Sequence, residues 1–217
     1  MTELTRPDLP FKNLTITGFL GVGKSTVART IANRLGTSMF DIDDEIELRE
    51  LMSITKIREQ YGDSRLRKLE HELSREAALM RRAVIVMPGA ALRDGRNYRL
   101  MEETSIVICL MCELGEALRR LHLKNEIAYR DPQIRGRMIG RIRRESEVVN
   151  DPRILQLDTT HLTVDEQVDL LIDLWAAAGE PGDERFRYGP PPRITPPRRT
   201  PVGLTGVYDV RPTHQRG

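Results

Sequence analysis

Apolar residues recur along this chain with two alternating periods. Leu14-Thr15-Ile16-Thr17 switches between apolar and polar residues one by one, the pattern of a short strand. Val27, Ile31 and Leu35 then recur four apart over Ser25 to Leu35, which marks one face of a helix, and Gly36 supplies its stop. Ser38-Met39-Phe40 reads as a second short strand, leading into Asp41-Ile42-Asp43-Asp44. Residues 45–61 are charged and helical in pattern. Gly62 breaks them, and Ser64 to Arg82 forms a long helix with Leu66, Leu69, Leu73 and Ala77 as its buried stripe. Ala83 to Met87 and Ile106 to Met111 are unbroken apolar runs of strand length, as in strands covered on both faces. Glu113 to Leu123 reads as helix, Lys124 to Gly136 as a polar loop holding Asp131-Pro132, and Arg137 to Val149 as a very basic helix. Ile154 to Leu157 is a last strand. Thr163-Val164-Asp165-Glu166 is a capping box that opens a final helix running through Ala178. Strands alternating with helices predict an α/β domain with a parallel sheet and helices on both faces.

The pattern ends at Gly179. Beyond it proline clusters at Pro190–Pro192 and Pro196–Pro197 among Arg193, Arg198 and Arg199, and apolar runs vanish. Residues 180–217 are therefore expected to be a disordered Pro/Arg-rich tail, residues 1–11 a flexible leader, and residues 12–179 the folded domain. That length suffices for one full core. Charged residues make up 30% of the chain with a net charge of +2, which gives no global bias toward nucleic acid. No apolar run approaches the ~18 residues of a membrane span, and Met1 to Pro10 lacks the apolar region of a secretory signal. A cytoplasmic monomer, with neither nucleic acid nor membrane as partner, is the expectation. Cys109 and Cys112 have metal-site spacing, but they lie in a β-branched apolar run without a second cysteine pair. They read as buried free thiols.

Chemistry enters at Gly18-Phe19-Leu20-Gly21-Val22-Gly23-Lys24-Ser25-Thr26, a complete G-x-x-x-x-G-K-S phosphate-binding loop between a strand and a helix. Glycines let the backbone curl until successive N–H groups point at phosphate oxygens, and the helix adds its positive end. Lys24 can reach the β- and γ-phosphates of a nucleotide, and the Ser25 hydroxyl can ligate Mg²⁺. Gly21, Val22, Gly23, Lys24, Ser25 and Thr26 are thus the candidate ATP-binding positions. A second constellation is Asp41-x-Asp43, at the carboxyl end of the second strand, where doubly wound sheets bind ligands. One carboxylate suits the Mg²⁺ shell and the other a substrate hydroxyl. Both residues also suit an ordinary helix start.

With these residues in view, the chain resembles the shikimate kinase family of P-loop kinases. Phe40-Asp41-x-Asp43 ends 19 residues after Lys24, and Ser53-Ile54, Ile57, Gly62 and Leu66-Arg67-Lys68-Leu69-Glu70 follow the family's pattern without a gap. The resemblance covers about residues 12–178. It implies a three-layer P-loop kinase fold with a five-stranded parallel sheet, ATP and Mg²⁺ as cofactors, and shikimate as acceptor. It further implies that Asp41 holds Mg²⁺ through water beside Ser25, and that Asp43 orients the reacting hydroxyl. Arg67 would bind the shikimate carboxylate while Glu70, one turn on, holds that arginine. Arg120 would pack on adenine. A further carboxylate-binding arginine is implied in the helix after residue 137, where Arg141, Arg143 and Arg144 are candidates and Arg144 is the expected one. The lid, about residues 124–136, would contribute Arg130, with Lys124, Arg135 and Arg137 as rivals.

The family's three consecutive glycines after the third strand are here Pro88-Gly89-Ala90. Proline has no N–H to donate, and only the middle glycine, Gly89, remains as a substrate-binding position. Phosphorylation of shikimate is the leading reading. Two others stand beside it: another small-molecule or nucleotide kinase of the same superfamily, and a nucleotide-binding regulatory module without transfer activity.

Overall fold

The computed structural model describes residues 9–124 and 131–178. Five strands form one sheet: β1 (Asn13–Thr17), β2 (Met39–Asp41), β3 (Val84–Val86), β4 (Ser105–Met111) and β5 (Leu155–Asp158). They lie in the order β2-β3-β1-β4-β5, and every pair is parallel. Leu14 stands beside Val84 on one side and Ile106 on the other. β1 and β3 are buried at every position, as strands at the middle of a sheet covered on both faces are, and in β1 this includes the polar Asn13, Thr15 and Thr17, whereas edge strand β5 alternates.

The pleat sends alternate residues into two cores. Leu14, Ile16, Ile108 and Leu157 meet α1 (Lys24–Leu35), α6 (Leu114–Lys124) and α8 (Val164–Ala177). Ile85, Met87 and Cys109 meet α2 (Ile42–Glu50), α3 (Ile54–Ala77), α4 (Gly89–Leu92) and α5 (Gly95–Thr104) on the opposite face. α7 (Pro132–Ser146) and a 3-10 turn (Glu147–Asn150) close the carboxyl end of the sheet over α4. The capping box of Thr163 and Glu166 is formed at the start of α8. That helix carries the chain's one tryptophan, Trp175, fully buried, with its indole N–H donating to the Lys12 carbonyl at 3.0 Å.

Three elements differ from the sequence expectation. Residues 45–61 are not one helix: Leu51, at φ 51°, ends α2 and Ser53 caps the start of α3, while Gly62 breaks the helical geometry as expected, at φ 77° and ψ 173°. α5 was not foreseen, because its stripe of Asn97, Tyr98 and Met101 is short and partly polar. Residues 132–136, expected as loop, are the first turn of α7. Asp131 caps that turn through the Gln133 amide, and Pro132 takes the first helical position, where its missing N–H costs nothing. The leader to residue 8, the tail 180–217 and Arg130 lie outside the described residues.

Candidate active site

β1 connects onward to edge strand β2, whereas β3 connects onward to β4, on the other side of β1. The chain thus changes direction between β1 and β3, and their carboxyl ends frame a crevice. The loop after β1 turns through Gly18, Gly21 and Gly23 at φ 135°, 92° and 102°. A methyl group at Gly18 would strike the Leu110 carbonyl oxygen of β4, so the loop can lie on the sheet only with glycine there. Gly23 caps α1 in the left-handed region with no side chain over the helix end, which leaves the first amides to a ligand. Lys24 folds back on this loop, its ammonium donating to the carbonyls of Gly18 at 2.9 Å and Phe19 at 3.1 Å.

Ser25, one residue on, donates its hydroxyl to Asp41 Oδ2 at 2.7 Å, and Asp41 Oδ1 accepts the Asp43 amide at 3.1 Å. Asp41 therefore caps α2 and faces the phosphate loop at once. Burial raises its pKa, against the lowering effect of the Ser25 hydrogen bond. A hydroxyl and a carboxylate oxygen are hard donors that fit Mg²⁺, which takes few protein ligands and completes its shell with water and phosphate. Among the described residues no cluster of three or more His, Cys, Asp or Glu is placed to hold a metal.

A cleft of about 760 Å³ opens here. At one end lie Lys24, Asp41, Asp43, Pro88 and Arg141; at the other, Arg120, Leu123, Val164 and Gln167. Asp43 forms an ion pair with Arg141, whose Nε also donates to Glu145 at 2.6 Å. Burial works against the charge on Arg141, but these two carboxylates outweigh it and raise its pKa. Arg120 spends its donors on Glu116 at 2.7 Å, the Val22 carbonyl at 2.9 Å and the Thr159 carbonyl at 2.8 Å. What it retains for a ligand is its planar face.

Four expected site residues lie elsewhere or act differently. Arg67 is exposed and donates to Ser64 at 3.2 Å. It does not line the cleft, and the expected pair with Glu70 is not formed among the described residues. Glu70 is buried instead, and its charged neighbours are Asp43, Arg58, Glu145 and Arg141. Arg144 is exposed, because α7 turns Arg141 inward, three residues earlier on the helix. Gly89 is buried under α7: a Cβ there would lie 2.6 Å from the Glu145 carbonyl oxygen and 2.8 Å from a Val148 methyl. Its hydrogen atom serves helix packing, and Pro88 is the residue that lines the cleft. Of the lid rivals, Arg137 pairs with Glu59 at 3.4 Å, and Arg135 is exposed. Glu145 was missed from the sequence, although Arg141 and Glu145 are spaced four apart as a helical ion pair would be.

A glycine loop held open over a helix end, beside carboxylates at a sheet's change of direction, is built to grip a phosphorylated ligand and a second molecule together, so the molecule is a P-loop phosphotransferase. The family model for shikimate kinase matches residues 20–174, and the chain belongs to the shikimate kinase family, enzymes that phosphorylate an alcohol group. A shikimate kinase from Geobacter metallireducens is 31% identical over 157 residues, which is 72% of this chain and 88% of that protein. One from Chlorobium limicola is 33% identical over 141 residues, 65% of this chain and 69% of that protein. Among solved structures, shikimate kinase from Acinetobacter baumannii in complex with shikimate aligns with a TM-score of 0.60 at 23% identity, covering 79% of this chain and 94% of that one. A gluconokinase from Sinorhizobium meliloti aligns at 0.55 and 17% identity, covering 78% of this chain and 95% of that one. These two likenesses concern the fold alone. No helix of the described residues is long and apolar enough to cross a membrane.

Proposed function

We propose that this enzyme transfers the γ-phosphoryl group of ATP to shikimate, giving shikimate 3-phosphate. The observation that carries the reading is the Asp43–Arg141 pair at the phosphate-loop end of the cleft. It sets a carboxylate able to accept a hydroxyl proton beside a guanidinium able to hold a carboxylate, next to the lysine that meets the transferring phosphate. The loop amides and Lys24 bind and orient the triphosphate, and Asp43 orients the acceptor hydroxyl for in-line attack. Catalysis rests on positioning and charge neutralisation. Ser25 and Asp41 would hold Mg²⁺, which supplies charge neutralisation on the phosphate oxygens. The flat face of Arg120 is offered to the adenine ring. Arg141 takes over from Arg144 as the proposed carboxylate arginine of α7. Arg67 is a carboxylate-binding residue only if its exposed side chain turns inward with substrate.

Pro88 on the cleft wall favours one second reading, another small hydroxylated acid as acceptor, because it removes a backbone donor from the acceptor side. An assay of ADP release with shikimate, gluconate and nucleoside monophosphates separates the two. Shikimate-dependent turnover is expected, with Arg141→Ala raising the half-saturating shikimate concentration some ten- to a hundredfold, for the loss of one charge-assisted pair. Turnover with gluconate alone would replace the acceptor. An unchanged half-saturation in Arg141→Ala, with a loss in Arg67→Ala, would return the carboxylate to Arg67.

A further inference from the structure

Glu145 does not line the cleft, yet it stands behind two residues that do, Lys24 and Arg141. Its side chain is 3% exposed. One carboxylate oxygen accepts from Arg141 Nε at 2.6 Å; the other lies 3.9 Å from Lys24 Nζ and has no hydrogen-bond partner among the described residues. The position is fixed from behind, because the Glu145 carbonyl packs on Gly89 too closely for any side chain there. A buried carboxylate oxygen without a donor is costly, and here its compensation is the charge of Lys24. Lys24, in turn, is held by two loop carbonyls and this carboxylate, all of which it must leave to reach a phosphate.

The geometry points to Glu145 as a positioning residue shared by the two substrates: it holds Arg141 in place for the acceptor anion and detains Lys24 until nucleotide phosphates claim it. Both halves of this inference rest on the function proposed above, the acceptor half on shikimate and the nucleotide half on ATP. Arg141 gives Nε to Glu145 and one terminal nitrogen to Asp43, so its guanidinium is clamped at two corners with the rest directed to the cleft. Removing the Glu145 charge frees that side chain to swing, which weakens the acceptor. The same change removes a negative charge close to the site of the phosphates, which strengthens the nucleotide. Opposite effects on two ligands distinguish this role from a structural one, which would weaken both.

The test uses the full chain with Mg²⁺ and a non-hydrolysable ATP analogue, by titration calorimetry, together with the shikimate KM from ADP release. Glu145→Gln is expected to bind the analogue about three- to tenfold more tightly and to raise the shikimate KM about tenfold. Glu145→Asp keeps the charge but withdraws it by one carbon–carbon bond, and it should tighten the analogue by about twofold. Analogue binding that is unchanged or weaker in Glu145→Gln overturns the inference, and the same result in Glu145→Asp does so if the Gln variant does not fold. Tighter analogue binding with an unaltered shikimate KM also overturns it, since Arg141 would then be independent of Glu145. If wild type shows no turnover with shikimate, the acceptor assignment falls, and the analogue titration alone decides the role of Glu145.

Discussion

Glu70 should make the stability of this protein fall between mildly acidic and neutral pH. The side chain is 6% exposed, and its pKa is raised from 4.5 to about 7, by burial first and then by the nearby charge of Asp43. The folded chain keeps this proton up to about pH 7, while the unfolded chain gives it up near 4.5. Between those values the folded state binds more protons, so raising the pH draws the equilibrium toward unfolding. The favourable contribution is complete below about 4.5 and is lost as the pH rises through about 7. The loss amounts to roughly 1.4 kcal/mol per pH unit, about 3 kcal/mol over the window. Glu70→Gln copies the protonated form and cannot titrate. Urea unfolding of wild type and variant at pH 5, 6, 7 and 8 should show nearly equal stabilities at pH 5 and a variant about 2–3 kcal/mol more stable at pH 8. Groups remote from Glu70 titrate equally in both proteins, so the difference between them reports Glu70 together with the charges it faces, Asp43, Arg58, Glu145 and Arg141. Parallel pH profiles would refute a buried, proton-holding Glu70.

Two further outcomes follow from the loop. Lys24→Ala should abolish most phosphoryl transfer with little change in the far-ultraviolet circular dichroism spectrum, since among the described residues Lys24 bonds only to its own loop and Glu145; undiminished turnover would sink the P-loop mechanism. Gly18→Ala places a methyl group against the Leu110 carbonyl at φ 135°, and a loss of about 2–4 kcal/mol in urea unfolding is expected; a loss under about 0.5 kcal/mol would show that the loop does not lie on β4.

The sheet was legible in the sequence because its strands depend on a local signal. Unbroken apolar runs at Ala83 to Met87 and Ile106 to Met111 can be covered only by helices on both faces, and β3 and β4 sit where those runs fall. Cys109 and Cys112 are buried free thiols, in line with their apolar setting. The phosphate loop is also local, its glycines and lysine contiguous in the chain. The acceptor side was less legible because it is assembled from distant segments. Asp43 meets Arg141 across 98 positions, and which arginine of α7 faces inward depends on where the helix begins. Reading 132–136 as loop obscured that register: Arg144, the expected arginine, is exposed, and Arg141 lines the cleft. Arg67 and Glu70 have the spacing of a pair, but Glu70 lies on the buried stripe and Arg67 does not, so the helix parts them. Gly89 was expected at the substrate, and its close neighbour is α7, a contact no pattern within one segment displays.

Trp175 gives the molecule a built-in gauge with a single reading. It is the chain's one indole, and it is fastened to Lys12 just before β1, whereas the phosphate loop leaves the opposite end of that strand. Five residues of strand put roughly 16 Å between the two ends. A ligand entering the cleft leaves the indole's surroundings as they were, while detachment of α8 from the sheet exposes it to water. Its emission therefore records whether the last helix is seated and stays silent about occupancy of the cleft. A fluorescence change on adding nucleotide would signify that the helix itself had shifted along its whole length.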